Sequence, residues 1–115
     1  RTPSDALVGP VAVETIRSLH VDVLFIGVHG ATVDAGLTTP NIVESEANRA
    51  LVEASSRRVV VADHTKWGIR GLSRFARLNE ADVFVSDVGL DREARAAIAE
   101  HVDKVVLAPV RGAAA

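Results

Sequence analysis

"FIGVHGATVDAGLTTPN", residues 25–41, decides how this chain is read. An apolar run stops at Gly27. Beyond it come Gly30 and Gly36, three threonines, His29, Asp34 and Pro40, and the sizeable apolar residues are only Val28, Val33 and Leu37. This composition predicts one long loop from a strand into a helix. Connections longer than about 12–15 residues inside a compact domain usually carry function or are disordered. "GLTTPN" brings turn formers and two hydroxyls, and Asn41 can cap the helix that follows. A ligand-covering loop is therefore expected.

Working outward, "VDVLFIG" over 21–27 is short and apolar apart from Asp22, and predicts a buried strand. Before it, Gly9-Pro10 marks a helix start, with Ala12, Ile16 and Leu19 on one face. After the loop, residues 43–54 predict a helix whose apolar face holds Val43, Ala47, Ala50, Leu51 and Ala54. A β-branched strand follows over 58–63, then a turn over 64–68. The stretch 72–78 alternates imperfectly and predicts an edge strand or extended segment. Residues 82–87 predict a further buried strand. Asp91 can cap a helix from Arg92 to about His101, and a short last strand is expected over 105–108.

Strands alternating with amphipathic helices give an α/β fold, a mostly parallel open sheet flanked by helices. Parallel strands share a C-terminal edge, and ligands in open α/β sheets bind there. Gly27-Val28-His29-Gly30, Asp63-His64-Thr65-Lys66 and Ser86-Asp87 are all expected at that edge.

At 115 residues the chain has the length of one domain. The expected extent is 1–110, with a disordered tail over 111–115. Hydrophobic content of 48%, mean hydropathy of +0.21 and a net charge of −2 fit a globular domain rather than a disordered one. That charge supplies no general field for a nucleic acid backbone. The absence of cysteine excludes disulfides, Cys-ligated zinc and a thiol nucleophile, and fits a cytoplasmic protein. No apolar run reaches the ~18 residues of a membrane span, and no secretory signal opens the chain. Without any methionine, the chain reads as a fragment of a longer protein.

Several residues at the expected edge could carry chemistry. Gly27-x-x-Gly30 after a strand could let backbone N–H groups approach an anion, or could simply be a turn needing positive φ. The spacing matches neither a dinucleotide fingerprint nor a Walker A loop. Glu44 and Glu46 suit the positive end of the helix dipole, or one of them could accept hydrogen bonds from a hydroxylated ligand. Arg49 can pair with Glu46 or Glu53. Lysine is rare here, only Lys66 and Lys104 against eleven arginines. Asp63-x-x-Lys66 at a strand end thus suggests a compact ammonium for a phosphate, or else a solvated surface lysine. His29, His64 and Asp63 lack the spacing of a metal site, so no metal is expected. No cofactor is expected either. Ser-His-Asp catalysis has no support, because there is no G-x-S-x-G elbow.

Taken together, the strand–Gly-x-x-Gly loop, "GLTTPN", the Glu-x-Glu helix opening and Asp63-His64-Thr65-Lys66-Trp67-Gly68 resemble the C-terminal effector domain of DeoR-type bacterial transcription regulators. The likeness runs from about Gly9 to Asp87, and more loosely to Pro109. The last motif is similar to the family's Asp-Ser-Ser-Lys-Phe-Gly, with His64 the less common residue. The resemblance implies a fold like ribose-5-phosphate isomerase and glucosamine-6-phosphate deaminase, here incomplete at its N-terminal side. It implies a sensor of phosphorylated sugars, with DNA bound only by a winged helix-turn-helix absent from these residues.

By that resemblance Gly27 to Gly30, Glu46 and Lys66 line the sugar-phosphate pocket. Val28, His29, Thr38 and Asp63 complete the expected ligand-binding set. A homo-oligomer without membrane contact is expected, and no catalytic residue. The alternative is a related isomerase or deaminase with Glu46 as base and Lys66 binding the phosphate. A third possibility is a ligand-free oligomerisation module.

Overall fold

The computed structural model describes residues 9–109. The expected tail over 111–115 lies outside them. The elements are α1 (Pro10–Arg17), β1 (Val21–Gly27), β2 (Gly30–Thr32), β3 (Gly36–Thr39), α2 (Ile42–Ala54), β4 (Ser55–Val61), β5 (Ser73–Ala76), β6 (Val83–Asp87), α3 (Arg92–Ala99) and β7 (Lys104–Ala108). Strands β1, β4, β6 and β7 form a fully parallel sheet in that order. The α/β expectation holds.

One side of this sheet carries the core. Leu24 and Ile26 of β1, Val60 of β4 and Phe84 of β6 pack against Val52 of α2 and against Ala94 and Ile98 of α3. α1 joins the same helical layer, with Ile16 set against Ala47 and Ala50 of α2. Of the expected α1 face, Leu19 falls beyond the helix and is exposed.

The long loop is not a loop, which corrects the reading of residues 28–41. Residues 30–39 form a β-hairpin, and β5 pairs with its second strand to make a small antiparallel sheet in the order β2-β3-β5. The turn closes locally. Thr32 Oγ1 accepts from the Ala35 amide at 2.7 Å, and Gly36 takes φ +75°, a conformation L side chains rarely adopt. β3 is buried along its whole length, because it sits between β2 and β5 and under α2. The 72–78 stretch is an edge strand, as expected, but of this second sheet.

Both helix caps read from the sequence are present. Asn41 Oδ1 accepts from the Glu44 amide at 3.1 Å, and Asp91 Oδ1 from the Ala94 amide at 2.8 Å. At the other end of α2, the Arg58 guanidinium donates to Val52 O at 2.9 and 3.1 Å, satisfying a terminal carbonyl. β4 starts at Ser55, with no turn after α2. Its first residues pair with β1, Val21 opposite Ser55.

Asn41→Ala is expected to cost about 0.5–2 kcal/mol, read by chemical denaturation. An unchanged midpoint would mean that water caps α2 equally well.

Candidate functional site

The C-terminal ends of β1, β4 and β6 lie level, with Gly27 opposite Val61 and Val61 opposite Val85. The chain leaves β1 into Val28 and His29, and leaves β4 into Asp63 and the 3-10 turn His64–Lys66. β6 ends at Asp87. α2 returns antiparallel to β1, so its capped N-terminus, with Glu44 and Glu46, lies at this same edge. The three segments expected to meet there do so.

The turn after β4 is held from two sides. Asp63 Oδ1 accepts from the Thr65 amide at 2.8 Å and from the Thr65 hydroxyl. Gly68 N donates to Ala31 O at 2.8 Å, and Trp67 bridges Ala31, which fastens the turn to the hairpin. Trp67 also meets Phe84 edge to face, with ring centroids 6.3 Å apart. Lys66, at the end of the turn, is half-buried, and its ammonium has no salt-bridge partner among the described residues.

Asp87 links β6 to the same turn. Its Oδ2 accepts from the His64 amide at 3.0 Å, and its Oδ1 meets His64 Nδ1 at 2.8 Å and accepts from Gly89 N at 2.7 Å. Gly89 cannot be replaced without displacing this pair, because a Cβ there would stand 2.6 Å from His64 Nδ1.

Both carboxyls are held below the usual carboxylate range, Asp63 by its bonds from Thr65 and Asp87 first by the His64 amide. A depressed folded pKa contributes stability above the unfolded value of about 4, and that stability is lost as pH falls through the lower folded value. The double variant Asp63→Asn/Asp87→Asn is therefore expected to melt lower at neutral pH. It should also show a shallower fall in Tm between about pH 4 and pH 2. An acid limb as steep as the wild type's would contradict this.

Asp63, His64 and Asp87 together present three possible metal ligand atoms within 4.8 Å of one another. The carboxylates serve as caps for the turn, which explains the cluster without an ion.

The two glycines of the loop differ. Neither has positive φ, so the turn explanation fails. Gly30 is required by close approach: a Cβ there would lie 2.1 Å from Ile69 O. Gly27 has open space, its nearest atom being Val61 O at 3.8 Å. Val28 is half-buried against the core, whereas His29 is exposed and uses its amide to bond Thr38 O at 3.0 Å.

Thr38 corrects the expected ligand-binding set. Its hydroxyl is buried, donates to Gly30 O at 3.1 Å and accepts from Gly71 N at 2.9 Å. It ties the hairpin to the 69–71 segment and has no free face for a ligand. Glu46 is exposed and makes no ion pair with Arg49. Arg49 instead bonds Glu53 at 3.1 Å and Glu80 at 2.9 Å, which holds Glu80 below the usual carboxylate range.

A cleft of about 190 Å³ opens between the ends of β4, β6 and β7, lined by Val61, Ala62, Asp63, Val85, Ser86, Asp87 and Ala108. It takes in Ser86 and Asp87, expected at this edge, but of the expected ligand-binding set only Asp63. The Ser86 hydroxyl is buried there with no hydrogen-bond partner among the described residues. A second cleft, of about 180 Å³, lies at the hairpin turn beside Arg74, Arg77 and His101, and contains none of the expected residues.

The His64–Asp87 pair was missed from the sequence. Its signal was the two acids, Asp63 and Asp87, each closing a buried run.

Known proteins match this sequence. Residues 1–88 fit the model of the DeoR C terminal sensor domain. The chain is 37% identical over 114 residues to the HTH-type transcriptional regulator GlpR of Haloferax volcanii, covering 99% of this chain and 43% of that protein. It is 42% identical over 82 residues to the transcriptional repressor AccR of Agrobacterium fabrum, 70% of this chain and 32% of that protein. It is 26% identical over 107 residues to the putative aga operon transcriptional repressor of Escherichia coli O157:H7, 93% of this chain and 40% of that protein. The chain thus spans less than half the length of these relatives. With its parallel sheet, its Asp63–Lys66 turn and this match over most of its length, the chain belongs to the DeoR C-terminal sensor domain family.

Proposed function

We propose that this domain senses a phosphorylated sugar for a transcriptional repressor. The observation that carries the reading is the half-buried Lys66, an ammonium without a salt-bridge partner among the described residues, on a braced turn at the C-terminal edge of the sheet. A phosphate satisfies such a point charge. The backbone from Gly27 to Gly30 forms the adjoining wall. Glu46, exposed at the N-terminal turn of α2, accepts from sugar hydroxyls. Asp63 sets the turn that presents Lys66, and Thr38 holds the wall from behind.

The effector changes the balance between two arrangements of a homo-oligomer and so alters DNA affinity in a part of the polypeptide outside these residues. The relatives, named as transcriptional regulators and repressors, support a cytoplasmic regulator over an enzyme.

The test uses the intact polypeptide that carries these residues. Ribose 5-phosphate, glucosamine 6-phosphate and other sugar phosphates are screened by thermal shift, and the products are assayed. At least one is expected to raise Tm with no turnover. Isomerisation or deamination of any of them would overturn the sensor reading in favour of an enzyme using Glu46 as base.

A further inference from the structure

Three segments remote in sequence enclose the cleft at the hairpin turn. The turn between β2 and β3 supplies Asp34 and Gly36, β5 and the residues after it supply Arg74, Arg77 and Asn79, and the end of α3 supplies His101. The topology sets this cleft apart from Lys66. α3 starts where β6 ends and finishes where β7 begins, so His101 lies at the opposite edge of the parallel sheet. Asn79 lies just before β6 starts, on that same side. The cleft holds about 180 Å³, room for one small ion and a few waters.

Its charge is unbalanced. Arg74 and Arg77 also border a neighbouring cleft with Arg49 and Glu80, but Arg49 already takes up Glu80 and Glu53. Neither Arg74 nor Arg77 has a salt-bridge partner among the described residues. Asp34, the one carboxylate lining the cleft, pairs with neither. Gly36 shapes the wall. A Cβ there would stand 3.1 Å from Arg74 Cδ and 3.2 Å from Arg77 Cα. The bare glycine thus lets the Arg74 stem lie against the hairpin, which restricts where its guanidinium can go. All three basic side chains are exposed, so an ion reaches them directly from solvent.

We propose that the Arg74–Arg77–His101 cleft is an anion site for a phosphate group, separate from the edge that carries Lys66. Guanidinium forks match phosphate oxygens in pairs, and the imidazole adds a further donor. Asp34 repels the ion and keeps its affinity low. A phosphate held there ties the hairpin turn to β5 and to the end of α3. The ion is inorganic phosphate or the phosphate of a small monoester. This inference does not depend on the ligand reading, since it uses none of the residues of that site.

Arginine modification by phenylglyoxal, followed residue by residue by peptide mass, tests it on the intact polypeptide. Inorganic phosphate is compared with sodium chloride at equal ionic strength. Saturating phosphate is expected to slow modification of Arg74 and Arg77 at least about threefold, while Arg17 and Arg92, exposed outside the cleft, keep their rates. The same protection is expected in the Lys66→Ala variant. Asp34→Asn should lower the phosphate concentration needed for half protection about two- to fivefold. Ribose 5-phosphate separates the sources: protection at lower concentration than inorganic phosphate assigns the cleft to a monoester, and equal or weaker protection assigns it to the free ion.

Equal slowing at Arg17 and Arg92 would show general ionic adsorption and overturn the proposal. So would unchanged rates at Arg74 and Arg77, or loss of their protection in Lys66→Ala. Arg74 and Arg77 that resist the reagent even in chloride would show the cleft filled by another part of the protein, which overturns it equally.

Discussion

Lys66→Ala is expected to weaken sugar-phosphate binding by the intact polypeptide about 10- to 100-fold, the worth of one hydrogen bond to a charged group. Three features concentrate the effect in this residue. The residue is half-buried, so its stem is held against the protein and the ammonium has less freedom than that of a fully exposed lysine. It has no salt-bridge partner among the described residues, and only the longer-range pull of the nearby Asp63 carboxylate acts on it. The turn beneath it is fixed by Asp63, Thr65 and the Gly68–Ala31 bond, so little ordering is left for the ligand to impose.

Lys66→Arg keeps the charge but replaces a compact ammonium by a planar fork, and should fall between wild type and Ala. The substitution leaves the turn's own hydrogen bonds in place, so Tm without ligand should stay nearly constant. Unchanged affinity in Lys66→Ala would remove the phosphate from this position.

Gly30→Ala is expected to be the most damaging single methyl group near the site. The added carbon would lie 2.1 Å from Ile69 O and 2.7 Å from its carbonyl carbon, both backbone atoms. Relief requires the 69–71 segment to move, and that breaks the Gly71–Thr38 bond on which the hairpin leans. Overpacking of this kind costs about 3 kcal/mol or more, a fall in Tm on the order of 10 °C.

Gly27→Ala is the control, since its Cβ meets nothing closer than 3.8 Å and its φ is not positive. Its Tm should change little. Equal losses at the two positions would mean that both glycines serve the same purpose, rather than close packing at Gly30 and open backbone at Gly27.

Much of this architecture was legible because it is written in local patterns. "VDVLFIG" is β1 to the residue, and Asn41 and Asp91 cap the helices that their side chains predict. What stayed hidden depends on distant partners. β2 has only three residues, Gly30, Ala31 and Thr32, too few to show a period and too small to suggest a strand. Its partner β3 is buried throughout because α2 lies over it and β5, remote in sequence, pairs with it, so no alternation marks it.

The same holds for the site. The edge position of Asp63 and Lys66 followed from strand order alone. The capture of His64 by Asp87 needed the register between β4 and β6, and the burial of Thr38 needed Gly71 to arrive beside it.

Titration calorimetry of the intact polypeptide with a sugar phosphate from the thermal-shift screen, alongside the same sugar without its phosphate, tests the central claim most directly. Saturable binding of the phosphorylated sugar is expected, with a loss of at least about tenfold when the phosphate is absent, repeated when Lys66 is replaced by alanine. Equal affinity for the two sugars would contradict it.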